Sequence, residues 1–155
     1  MAAWLLLGDS RDFDVNAYVK AQRDILWLVQ DPRLVPDIRV GDQVYVWRSE
    51  TGAPDAGGII ARGVVSGPPA VRRRTDFVTW LRTPPDATAP TIVVRLDDVR
   101  LNVRSGCLPR SDIAEDTILR DLSRIEAAGK GTCRLTDTEE QRLGQVWPAR
   151  RVQDL

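Results

Sequence analysis

"GDQVYVWRSETGAPDAGGIIARGVV", residues 41–65, decides how the rest of the chain is read. Gly41 and Asp42 are a turn signal, and the residues that follow alternate. Val44 and Val46 point to one face of an extended strand, and Gln43, Tyr45 and Trp47 point to the other. Two large rings opposite two valines either complete a core or line a pocket for something flat. "IIARGVV" (59–65) reads as an antiparallel neighbour of that strand. "SETGAPDAGG" (49–58) joins the two as a glycine- and proline-containing connection.

Working outward, Trp4 to Leu7 reads as a first strand, and "GDSRDFD" (8–14) leads into a helix carrying Val15, Tyr18 and Val19 at helical spacing. "ILWLV" (25–29) is a short apolar strand, followed by a loop broken at Pro32 and Pro36. "TIVVRL" (91–96) and "VRLNV" (99–103) read as two further strands joined by a turn at Asp97 and Asp98. Asp112 with Glu115 suggests a helix cap, and Ile118, Leu119, Leu122 and Ile125 form a helical stripe that Gly129 would end. Thr136 and Glu139 form a second capping box, with Leu143, Val146 and Trp147 as the apolar face before Pro148. About six short strands with helices at the two ends predict one α+β domain over residues 1–150, built round a small curved or closed sheet, with 151–155 as a tail.

The bulk composition narrows the function. Lys+Arg and Asp+Glu each total 22, so no global positive charge advertises nucleic acid, although a local patch remains open. Lys20 and Lys130 are the only lysines among these cations. Two cysteines, Cys107 and Cys133, without CxxC spacing, fit a reduced cytoplasmic chain. Met1 to Gly8 has no basic n-region, and no stretch is long enough to span a membrane.

The chain has no histidine, which removes Ser-His-Asp and Cys-His arrangements and the commonest metal ligand. At "GKGT" (129–132), Arg124 stands where a phosphate loop needs its first glycine. These observations predict no catalysis, no cofactor and no metal.

Tryptophan is the informative residue type: five, against two phenylalanines and two tyrosines. Trp147 fits a helix stripe and a core. Trp27 and Trp47 each lie in or at the end of a strand beside a loop, where a ring reaches the mouth of a cleft or packs as a wedge. Arg48 and Ser49 put a cation and a hydroxyl next to the second ring. Such a set can stack on a base and bond its edge. Arg72, Arg73 and Arg74, after "SGPP", are the candidates for phosphate contacts.

"IRVGDQVYVWRS" (38–49) with "GGIIARGVVSGPP" (57–69) resembles the signature of EVE-type domains in the PUA-like superfamily. In that signature a Gly-Asp turn enters a strand ending aromatic-x-Ser, and a glycine-led strand follows. "GKGTCRLTDTEEQRL" (129–143) is similar to the closing pattern of that family, a short strand and then Thr-x-x-Glu opening a helix. The resemblance spans nearly the whole chain. It departs where longer members carry an "RNYQARN"-like segment and this chain has "LVQDPRLVPD" (28–37).

The resemblance implies a small PUA-like β-barrel with peripheral helices and a pocket for a flipped, modified base. In related domains of modification-dependent restriction systems that base is a modified cytosine in DNA, and relatives that read methylated adenine in RNA use a tryptophan cage. Carried over by position, Trp27, Trp47 and Ser49 belong to the pocket, with Arg48 and Trp4 beside them. The implied partner is modified nucleic acid, DNA before RNA, with a nuclease or NTPase motor as effector and no membrane. Extruding a base costs a few kcal/mol, and stacking on an aromatic ring returns about 1–3 kcal/mol. The competing reading is a protein-interaction or small-molecule-binding module on the same barrel, with Trp27 and Trp47 as wedges.

Overall fold

The computed structural model describes residues 1–9, 14–49, 57–72, 89–125 and 131–150. The connection at 50–56, the helix end at Gly129, the cations Arg73 and Arg74, and the tail 151–155 lie outside these residues. Seven strands form one sheet: β1 Ala3–Asp9, β2 Asp24–Leu28, β3 Gln43–Ser49, β4 Gly58–Ala70, β5 Thr91–Val99, β6 Leu108–Pro109 and β7 Thr132–Arg134. Their order is β2-β5-β4-β3-β1-β7, with β6 added to β4. Helices α1 (Val15–Ala21), α2 (Arg110–Glu115) and α3 (Asp137–Ala149) pack on its faces. No helix among the described residues is long and apolar enough to cross a membrane.

The sheet curls. β4 is 13 residues long and shifts register against both β3 and β5, and each such irregularity adds twist and bends the strand. The two ends of the strand order approach each other, since a Cβ on Gly131, just before β7, would lie 3.8 Å from Oε1 of Gln30, just after β2. The result is a half-barrel rather than a flat layer, and the expected α+β architecture is the one found.

Residues 41–65 separate two cores. Val44 and Val46 face the concave side with Trp4, Leu6, Ile25, Trp27, Ile60, Ile92 and Val94, and α1 closes this core with Val15, Tyr18 and Val19. Tyr45 and Trp47 face the other side, under Ile113 of α2 and Leu143 and Trp147 of α3. The Gly-Asp turn at the start of β3 has a structural reason. Gly41 takes a φ of 94°, where a side chain would be strained, and Asp42 turns its buried carboxylate onto the Trp4 Nε1–H and the Arg39 N–H, both at 2.9 Å. Replacing Asp42 by Ala orphans a buried indole N–H and is expected to destabilise the fold by about 1–3 kcal/mol, read as a lower urea midpoint with an unchanged slope.

Three expectations are corrected. Asp97 and Asp98 do not form a turn, and 99–103 is not a separate strand: β5 continues to Val99. Both carboxylates have partners that let a strand carry them, Asp97 with Arg62 at 3.2 Å and Asp98 with Arg100 at 2.7 Å. The stripe from Ile118 to Ile125 is not one helix begun at Asp112. α2 starts at Arg110 and stops at Asp116, whose Oδ1 accepts from the N–H groups of Ile118 (3.0 Å) and Leu119 (3.1 Å), and a separate 3-10 turn at Arg120–Arg124 follows. Pro148 lies inside the last turn of α3 rather than beyond it. The capping box that opens α3 is present, with Glu139 N donating to Thr136 Oγ1 at 3.1 Å and Thr136 N to Glu139 Oε1 at 2.9 Å.

Candidate functional site

β1 and β3 are parallel, so their C-terminal ends meet at one rim of the half-barrel, with Gly8 opposite Arg48 and Asp9 opposite Ser49. Strand alternation puts Gly8 and Arg48 on the concave side and Asp9 and Ser49 on the convex side. α1 is anchored beside this rim by Asp14, whose side chain accepts from Ala17 N at 3.0 Å. A Cβ on Gly8 would lie 3.1 Å from Val15 Cγ2 and 3.2 Å from Trp27 Cη2, so the helix and the tryptophan close tightly over the strand at a position without a side chain.

Trp27 is held in place through its own strand. The Tyr18 hydroxyl donates to Leu26 O at 3.1 Å and accepts from Leu26 N at 2.7 Å, which ties the outer edge of β2 to α1. Those are the backbone groups an edge strand would otherwise expose. The Arg48 guanidinium, in a residue only 4% exposed, donates from Nη1 to Asn16 Oδ1 and to Leu101 O, both at 2.8 Å. One side chain therefore links β3, α1 and the segment after β5. The concave side of the rim combines an aromatic ring, a buried cation and an amide, which are groups that bind a planar polar ligand, and the Ser49 hydroxyl lies on the opposite face.

The structure does not bring all the sequence candidates together. Trp27, 7% exposed, and Arg48 share the concave rim, and Ser49 is on its convex side. Trp4 is on the same face as Trp27 but four residues before Gly8, roughly 13 Å along the strand, and its indole N–H is already bonded to Asp42. Trp47 is fully buried in the convex core, so it and Trp27 lie on opposite faces of the sheet and cannot sandwich one base. The physical reason is the strand period of two, which gives Trp47 the face of Tyr45 and leaves the concave side to Arg48.

Arg72 donates through Nε to Thr91 O at 3.0 Å and through Nη2 to Pro68 O at 2.5 Å, bracing the end of β4 against the start of β5. This geometry gives it a structural task. Beside Trp47, burial pushes the Tyr45 hydroxyl above its ordinary range, against the opposing charge of Arg62.

Asn16 and Gly8 belong to the rim and have no sequence signal that marks them. A polar residue directly after the first buried position of a helix is ordinarily solvated. Only the parallel pairing of β1 with β3 carries Arg48 to it.

No family model matches the chain, and no curated protein matches it by sequence. Solved structures do match in fold. A hypothetical protein from Leishmania major superposes with a TM-score of 0.65 at 13% identity, covering 96% of both chains. A protein from Pseudomonas syringae gives 0.64 at 11%, covering 93% of this chain and 98% of its own. Human THYN1, solved in complex with 5-methylcytosine-containing DNA, gives 0.59 at 10%, covering 99% of this chain and all (100%) of its own. At these identities the likeness establishes the architecture alone, a small curled half-barrel with peripheral helices.

Proposed function

We propose that the chain is a non-catalytic reader of a modified base in DNA, modified cytosine before modified adenine. The base, flipped from its strand, would be held at the rim where β1 and β3 end. The observation that carries this reading is the fold likeness, along almost the whole chain, to a protein solved with 5-methylcytosine-containing DNA. The rim supports it with residues suited to the task. Trp27 offers the edge of a ring, Arg48 and Ser49 lie on either side of the strand end, and Asn16 supplies an amide. A methyl group adds only about 0.8 kcal/mol when buried, so discrimination comes from the fit of the pocket as much as from area. In this role the domain would be the recognition part of a modification-dependent restriction system, with a nuclease or NTPase as effector.

A panel of DNA and RNA oligonucleotides, plain or modified at cytosine or adenine, tests the reading. At least one modified-cytosine DNA is expected to bind about fivefold or more tighter than its plain counterpart. That ratio should survive added salt while both affinities fall, because phosphate contacts carry no base identity. Equal binding across the panel, or none, by folded protein would sink it. The complete burial of Trp4 and Trp47 favours the second reading, an interaction or small-molecule-binding module on the same half-barrel, and that outcome would select it.

A further inference from the structure

We infer that Arg48 orients the side-chain amide of Asn16 so that its NH2 group is offered to a bound base as a hydrogen-bond donor; this rests on the base-reading function proposed above. A guanidinium has only donors, so the Asn16 atom 2.8 Å from Arg48 Nη1 is the amide oxygen. The same Nη1 donates to Leu101 O, which fixes the guanidinium between two acceptors and leaves it no freedom to release the amide at little cost. With the oxygen taken, the Asn16 NH2 group is turned away from Arg48. Asn16 is half-buried, and among the described residues its Nδ2 donates to no protein acceptor. A Cβ on Gly8 would lie 3.1 Å from Val15 Cγ2 and 3.2 Å from Trp27 Cη2, so the first turn of α1, which carries Asn16, and the Trp27 ring both border the end of β1.

A fixed donor selects the chemistry of the edge it meets. The pairing edge of cytosine carries two acceptors, the ring N3 and O2, and its 5-position lies on the opposite side of the ring. An Asn16 donor directed at N3 or O2 therefore leaves a 5-substituent untouched, to be judged by shape elsewhere in the pocket. Directed at N3, it also excludes a cytosine methylated there, which has lost that acceptor and gained a positive charge. Arg48 is a positioning residue in this arrangement, acting through Asn16.

The test uses the whole chain and short duplexes carrying one 5-methylcytosine, one 3-methylcytosine or plain cytosine. Asn16→Asp keeps the shape and the Arg48 contact but replaces the donor with an acceptor. It is expected to weaken the 5-methylcytosine duplex by roughly tenfold to a hundredfold and leave the melting temperature equal or higher. Arg48→Met is expected to weaken the same duplex to a similar degree, and Arg48→Lys, which still donates to the amide oxygen, to restore most of the affinity. The 3-methylcytosine duplex should bind no better than plain DNA. If Asn16→Asp bound the 5-methylcytosine duplex within about twofold of the native chain while Trp27→Ala released it, the amide would have no reading role and the base-reading function would stand. Should Arg48→Met fail to fold, the Asn16→Asp result decides. If the native chain showed no preference for the methylated duplex, both proposals would fall together.

Discussion

Replacing Trp47 by Ala is expected to destabilise the chain by about 3–5 kcal/mol, the range for deleting a large side chain from a packed interior. Trp47 is fully buried and belongs to the convex core with Tyr45, Leu108, Ile113, Leu143 and Trp147, elements drawn from β3, β6, α2 and α3. Removing it leaves a cavity between the sheet and the layer of helices, and small domains have only about 5–15 kcal/mol of stability in total. Urea denaturation should show a much lower midpoint, and near-ultraviolet circular dichroism should weaken as the packing around Tyr45 loosens. The sequence, read with Trp47 at the mouth of a cleft, leads to the opposite expectation, that the fold survives and only ligand binding is lost. A midpoint within error of the native chain, with binding abolished, would return Trp47 to the site.

How much of this was readable in advance depended on the range of each signal. Alternation within 43–49 assigns Val44 and Val46 to one face and Tyr45 and Trp47 to the other, and both faces turn out as assigned. The capping box at Thr136 and Glu139 needs only residues three apart, and it is present. What alternation cannot supply is the layer that covers the second face. α2 and α3 come from the last third of the chain, so the same two rings fit a pocket or a core until those helices are placed.

The break at Asp116 was hidden because a helical stripe of apolar residues persists across it, while one carboxylate capping the turn at Ile118 and Leu119 ends the helix. The rim around Gly8, Asn16, Trp27 and Arg48 was the least legible part. It exists because β1 and β3 run parallel, and a parallel pair needs a long crossover that no local pattern announces. Arg48 was singled out for its proximity to Trp47, yet its side chain points to the other face and works with Asn16.

Arg100→Met is expected to cost about 3–5 kcal/mol, because it removes a buried guanidinium and leaves the half-buried Asp98 carboxylate and two backbone carbonyls short of a donor. Arg100 is 4% exposed and satisfies four acceptor atoms: Nε and Nη2 bond the two oxygens of Asp98 at 3.2 and 2.7 Å, and Nη1 bonds Trp147 O at 2.6 Å and Gly106 O at 3.2 Å. Its guanidinium also lies 4.0 Å from the centre of the Trp147 ring, and the Trp147 Nε1–H donates to Asp98 Oδ2 at 3.1 Å. This closed set holds the C-terminal end of α3 to the end of β5. Arg100→Lys keeps the charge but has no planar fork for both carboxylate oxygens, so a loss of about 1.5–3 kcal/mol is expected. Removing both charges, as Asp98→Ala with Arg100→Met, should be less damaging than Arg100→Met alone, since no half-buried carboxylate is then left without its cation. Denaturant titration of the native chain, Arg100→Met, Asp98→Ala and the double variant gives the coupling directly. A loss for Arg100→Met under about 1 kcal/mol, the size of an exposed pair, would show that water reaches Asp98 and that the docking of α3 does not depend on this arginine.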